Sequence, residues 1–146
     1  MGSSPRVCVL GVVADPGTVR MARLLDVPVL ERARALVRLR PDAVFVRGPV
    51  ETLAVAALGT TLAGVAAVLA VPVGPAAPLP WWSRRFHRFI LGSQEDARAW
   101  GAAGIALGRL VVCAGGSDDE ERSALLSVQE EALAMALRPD IRRRAR

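Results

Sequence analysis

The chain has no lysine, no asparagine and no tyrosine, and only one histidine and two cysteines in 146 residues. Each shortage closes off some chemistry. A GxxxxGK[ST] phosphate loop needs a lysine, so that nucleotide site is excluded. One histidine, His87, and two cysteines without ligand spacing rule out a zinc site, and no metal or other cofactor is expected. Cys8 and Cys113 both lie inside apolar runs, VCVL and LVVCAG, and read as two buried thiols of a reducing compartment. Serine and cysteine are available as nucleophiles, but there is no GxSxG elbow. His87, the sole histidine base, reads as a surface or capping residue.

Charge of one kind is also missing: all 19 basic residues are arginine, and the net charge is +5. Together with abundant Ala, Gly, Pro and Val, that bias is what a GC-rich coding sequence produces. Apart from 84–88 and 142–146 the arginines are dispersed among acids, so the charge reads as solvated surface and nucleic acid is not expected as a partner. The N-terminal MGSSPRVCVLGVVAD holds too short an apolar run for a signal peptide, which points to a cytoplasmic chain. Hydrophobic residues make up 52%, too many for a disordered chain, and the length suits one domain spanning 1–146.

What is present is an alternation of buried strands and helices. Residues 6–14 read as a first strand, continuous enough in Val, Leu and Cys to be buried on both faces. Asp15-Pro16-Gly17 breaks it, and a short helix follows over 18–26. A clearer helix is expected over 29–40, where Val29/Leu30, Ala33, Leu36/Val37 and Leu39 recur at helical spacing. Pro41-Asp42 stops it, 43–46 is a second strand, and Arg47-Gly48-Pro49 leads out.

From Thr52 to Ser83 there is no charge, and 53–71 is long enough to cross a bilayer. Its alanine, glycine and threonine make it only marginally apolar for insertion. The alternative divides it into a helix over 51–63, a glycine stop at Gly64 and a strand over 66–71 ended by Pro72. After a stiff loop over 72–80, the segment 81–89 gathers Trp81, Trp82, Arg84, Arg85, His87 and Arg88. It reads either as a patch for a membrane surface or anionic ligand, or as a short amphipathic helix packing its aromatics on the sheet.

The stretch 89–116 has the clearest grammar. Phe89-Ile90-Leu91 is a strand, Ser93 caps a helix with Glu95 and Asp96 in its first turn, Gly104 ends it, and 110–113 is a fifth strand. Gly115-Gly116 turns out, and Ser117-Asp-Asp-Glu120 is a second capping box. The helix it opens is expected to end at Pro139, leaving 138–146 as a frayed basic tail. The fold expected is α/β: a single Rossmann-like three-layer sandwich with a mainly parallel sheet of about five strands.

Ligands of such sheets lie beyond the carboxyl ends of the strands. The candidate binding residues are therefore Asp15, Gly17, Arg47, Gly48, Gly74, Ser93, Glu95, Gly115 and Gly116, and Asp15 and Glu95 would form a carboxylate pair if their loops converge. The first loop, Gly11 to Gly17, has the wrong spacing for GxGxxG and contains a proline. No catalytic residue can be assigned.

The order over 41–117 resembles the N-terminal, acceptor-side domain of GT-B glycosyltransferases, most of all the large family 4 of retaining enzymes. It carries Pro41-Asp-Ala-Val-Phe-Val46, Leu62 to Val65, the basic-aromatic segment, Ser93 to Ala97, Ala102 to Gly104 and Gly108 to Val112. It departs where the family has a glycine-rich first loop, here Asp15-Pro16-Gly17. It departs again where many members have a histidine after the third strand, here Val71-Pro72-Val73-Gly74. The donor-binding domain with its paired glutamates is missing. The resemblance implies an acceptor-side domain, inactive alone or acting with a donor-domain partner. It also implies a glycan or lipid-linked acceptor, held at the inner face of the membrane by Trp81, Trp82, Arg84, Arg85 and Arg88. Two other readings stay open: a non-catalytic, self-associating binding module, and a membrane protein through 53–71.

Overall fold

A computed structural model describes residues 5–78, 81–113 and 116–145, with Trp81 and 137–145 as backbone only. Six strands form one all-parallel sheet: β1 (Val7–Leu10), β2 (Val29–Leu30), β3 (Ala43–Gly48), β4 (Ala67–Pro72), β5 (Arg88–Leu91) and β6 (Leu110–Val112). Their order is β2-β1-β3-β4-β5-β6. The helices are α1 (Pro16–Leu25), α2 (Ala35–Leu39), α3 (Val50–Leu62), α4 (Gln94–Ala102) and α5 (Asp118–Ala145).

Alternation along the strands sends successive side chains to opposite faces, and each face meets its own helices. Cys8, Leu10, Val44, Val46, Val68 and Phe89 pack under α2, α3 and α4 with Leu36, Leu53 and Trp100. Val7, Val9, Phe45, Leu69 and Ile90 pack under α1 and α5 with Met21, Leu25, Leu125 and Val128. The result is the three-layer α/β sandwich that the strand–helix alternation implies.

Three expectations need correction. The helix expected over 29–40 does not start at Val29: Val29-Leu30 adds a short edge strand to the expected sheet of about five, and Val9 and Gly11 donate backbone hydrogen bonds to the Pro28 and Leu30 carbonyls, at 3.0 and 2.9 Å. Pro28 has no N–H for a helix ladder, and its neighbours complete the sheet edge instead. The helix that remains is five residues, ended by Arg40 in the left-handed region at φ 48°. β1 stops at Leu10 and not near Ala14, since Gly11 already lies against Thr18 and the Arg47 carbonyl. The last helix runs past Pro139 to Ala145, because a proline removes one ladder bond while the Ala and Arg around it favour helix.

Over 53–71 the expected division into helix, glycine stop and strand holds, and the bilayer-spanning alternative is overturned. A thirteen-residue helix spans about 20 Å. β4 then begins at Ala67 as a central buried strand, so the apolar run is split between helix and sheet. Among the described residues no helix is long and apolar enough to cross a membrane. The glycine stop holds as expected, with Gly64 at φ 70°.

Candidate functional site

The strand order reverses direction between β1 and β3, and in this topology that switch point is where a crevice opens at the carboxyl edge. Here the chain fills it with its own side chains. Asp15 is the N-cap of α1: its carboxylate accepts from Gly17 N at 3.2 Å and from the Thr18 hydroxyl at 3.1 Å. Arg47, at the end of β3, reaches across and donates Nε–H to the same carboxylate at 2.9 Å. Gly17 is what lets it lie there, since a Cβ at that position would collide with the guanidinium. Burial raises the Asp15 pKa, but the hydrogen bonds from Arg47, Gly17 and Thr18 and the Arg47 charge outweigh it and hold the carboxyl below its usual range. The α1 N-terminus therefore already faces a negative charge. A helix N-terminus at such a switch point is a ready seat for a phosphate, and here it is met by the Asp15 carboxylate.

Beside this plug lies a cleft of about 250 Å³ between the carboxyl ends of β3 to β6 and the helices α1 and α5. Arg47, Val73, Asp96, Cys113, Glu121 and Leu125 are among its walls. Ser93 accepts from Asp96 N at 3.1 Å as the N-cap of α4, as its spacing predicts, and so points the acidic first turn at the cleft rim. Across the cleft, Arg20 of α1 grips Glu121 with two hydrogen bonds of 2.8 and 2.6 Å and also pairs with Asp118 at 2.9 Å. Ser117 caps α5 by accepting from Glu120 N at 3.2 Å.

The sequence-predicted residues divide sharply. Asp15, Gly17, Arg47 and Gly48 come together at the switch point. There the missing Cβ of Gly48 leaves room for Thr52, whose Cβ would be 2.7 Å away. Glu95 is exposed on the α4 first turn. It does not pair with Asp15, because β3 and β4 stand between β1 and β5, about 14 Å of sheet. Gly74 turns at φ 96° with open space around it, and Gly116 turns at φ 124° against Glu120. Gly115 lies outside the described residues. Asp96, Cys113 and Glu121 were not singled out as site residues. Asp96 and Glu121 are first-turn acids that sequence alone explains as helix caps, and only the strand order makes them face each other.

Desolvation, and then the Glu121 charge, raise the Cys113 pKa, so the thiol stays protonated. Cys8, fully buried in the sheet, is pushed up to about 12 by desolvation. His87 sits before β5, at the opposite edge of the sheet, where its Nδ1 accepts from Val68 N at 3.3 Å. Desolvation, with the charges of Arg85, Arg88 and Arg109 around it, lowers the imidazole pKa and keeps it neutral.

The basic-aromatic segment lies at that same amino edge. Trp81–Arg85 form a 3₁₀ turn, and Trp82 meets Phe86 edge-on at 6.1 Å. Phe86, Phe89 and Trp100 continue the aromatic contacts inward. Arg85 donates to the Thr60 and Val65 carbonyls at the end of α3, and Arg88 to Glu131 and the His87 carbonyl. Arg84 is exposed beside an apolar groove of about 550 Å³ that runs along α3 past Leu58 and Thr61 to Trp82.

No family model and no curated protein matches the chain. Among solved structures it is similar to the UDP-GlcNAc 2-epimerase of Neisseria meningitidis bound to UDP-GlcNAc, at 15% identity and a TM-score of 0.44. The match covers 86% of this chain and 42% of the epimerase, so the chain spans less than half of that protein's length.

Proposed function

We propose that the chain is the acceptor-side domain of a glycosyltransferase-like enzyme whose donor-binding wall comes from another domain. The observation that carries this is the carboxyl-edge cleft. At about 250 Å³ it falls short of the roughly 300–1,000 Å³ of complete small-molecule sites, and it is one wall of such a site. Asp96 and Glu121 offer acceptors and Arg47 offers donors, the groups that bind vicinal hydroxyls. The Asp15–Arg47 plug leaves no phosphate seat at the switch point, so the sugar nucleotide belongs to the other domain. The order of motifs over 41–117 supports the same assignment.

Two measurements test it. The purified chain should turn over no labelled sugar nucleotide. Titration with simple glycosides, followed by amide NMR, should shift resonances around Asp96 and Glu121, and D96N should abolish those shifts. Turnover by the chain alone, or shifts confined to a different surface, would refute the assignment.

A further inference from the structure

Helix α3 carries no charge after Glu51, and among the described residues one of its faces is left exposed. Leu53, Ala56, Ala57 and Thr60 are buried against the sheet. Val55, Leu58 and Leu62 are 67%, 60% and 79% exposed. Glu51, Val55, Leu58 and Leu62 stand at i, i+4, i+7 and i+11, the spacing of a helix-pairing seam and not of a solvated face. A groove lies on either side: the one of about 550 Å³ past Trp82, and one of about 330 Å³ past Gly11 and Ala33. α3 is thus an apolar ridge between two hollows.

The ridge is also electrically polar from end to end. Its N-terminal end has Glu51, with Glu31 in the adjoining hollow. Its C-terminal end has Arg84 on one flank and Arg40 in a hollow beside Leu62 on the other. That distribution complements itself under a two-fold rotation that sets two copies of α3 antiparallel. We infer that this face is a self-association interface, in which α3 of one chain packs antiparallel on α3 of a second copy. Val55 of each copy faces Leu58 of the other, and Glu51 comes over Leu62 beside the other copy's Arg84. The same antiparallel setting opposes the two helix dipoles favourably. A two-fold contact of this kind closes on itself and stops at the dimer.

A membrane surface fits the face less well. Arg85 and Arg88 are spent on carbonyls and on Glu131, and Glu31 and Glu51 would meet anionic headgroups with like charge. The interface is independent of what the carboxyl-edge cleft binds, since it uses none of the cleft's residues.

Sedimentation equilibrium of the full chain, with circular dichroism to confirm folding, decides the matter. The wild type should be a dimer at micromolar concentration and L58E a folded monomer. E51R and R84E should each weaken the dimer about tenfold, and the E51R/R84E double variant should recover it. A monomeric wild type, an L58E chain that still dimerises, or a double variant no stronger than either single one would overturn the proposal. So would flotation of the wild type with anionic vesicles that L58E abolishes, which would assign the face to a bilayer.

Discussion

Asp15 is asked to do three things at once, and replacing it by Ala or Asn separates them. In D15A the α1 N-cap is lost, which costs about 1 kcal/mol. Thr18, fully buried, loses the acceptor of its hydroxyl, which costs about 1 kcal/mol more. The ion pair with Arg47 joins side chains that are 23% and 37% exposed, so solvent screening leaves it about 0.5 kcal/mol. D15A should therefore lose about 2.5 kcal/mol, or about 5–10 °C in Tm for a domain of this size. Asn caps as well as Asp: its Oδ1 still accepts from Gly17 N, and the Thr18 hydroxyl can turn to accept from the Asn amide, so D15N should lose only about 0.5–1 kcal/mol. The two variants also differ from wild type in their response to acid. Because the native carboxyl is held below its unfolded value, its charge-dependent stabilisation is complete above about pH 4 and disappears as pH falls through the native pKa. The gap between wild type and D15N should therefore close in acid. Urea titrations of the three proteins, repeated across acidic pH, read all of this. Equal losses for D15A and D15N, or a wild-type advantage over D15N that persists in strong acid, would refute the account of the plug.

Two further outcomes follow from packing and titration. Gly59 lies where α3 meets Ala33, and a Cβ there would sit 2.6 Å from the Ala33 methyl. G59A should cost about 1–3 kcal/mol by overpacking despite its better helix propensity, and A33G in the same chain should recover most of the loss in urea denaturation. His87 is held neutral, so below about pH 6.5 the unfolded chain takes up a proton that the native state refuses. Stability should fall from there toward the lower native pKa. H87N, which keeps an acceptor for Val68 N but cannot titrate, should lack that slope; an identical slope in both would place the titrating group elsewhere.

The parts of this molecule that were legible in its sequence are those written in local terms. Ser93 and Ser117 sit three residues before Asp96 and Glu120, and each accepts the hydrogen bond that spacing predicts. Gly64 and Gly104 stop their helices at positive φ where a side chain would be strained. The missing parts are relations between distant segments. Val29 and Leu30 have side chains that suit a helix stripe equally well, and only hydrogen bonding to β1 makes them a strand. Arg47 reaches back 32 residues to Asp15, and Arg20 reaches forward 101 residues to Glu121. Neither partnership leaves a trace in local periodicity. The uncharged run over 53–71 was legible in local terms too, since Glu51, Gly64 and Pro72 mark its helix, stop and strand; what sequence alone does not show is that one face of α3 stays exposed.

The position of α5 in the chain has a consequence for synthesis. One face of the sheet, with Phe45, Leu69 and Ile90, is closed by α1 and by α5, which Arg20 and Arg122 fasten to α1 through Glu121, Asp118 and the Leu24 carbonyl. A chain emerging from the ribosome has translated every strand before Leu125, Val128 and Ala132 exist to cover that face. Until α5 clears the exit tunnel, the nascent sheet keeps the part of this apolar face that α1 does not cover exposed, and the face closes only once α5 has emerged. Chaperone dependence should therefore track the time between β6 and α5, and codons that slow the ribosome after Val112 would lengthen the exposure.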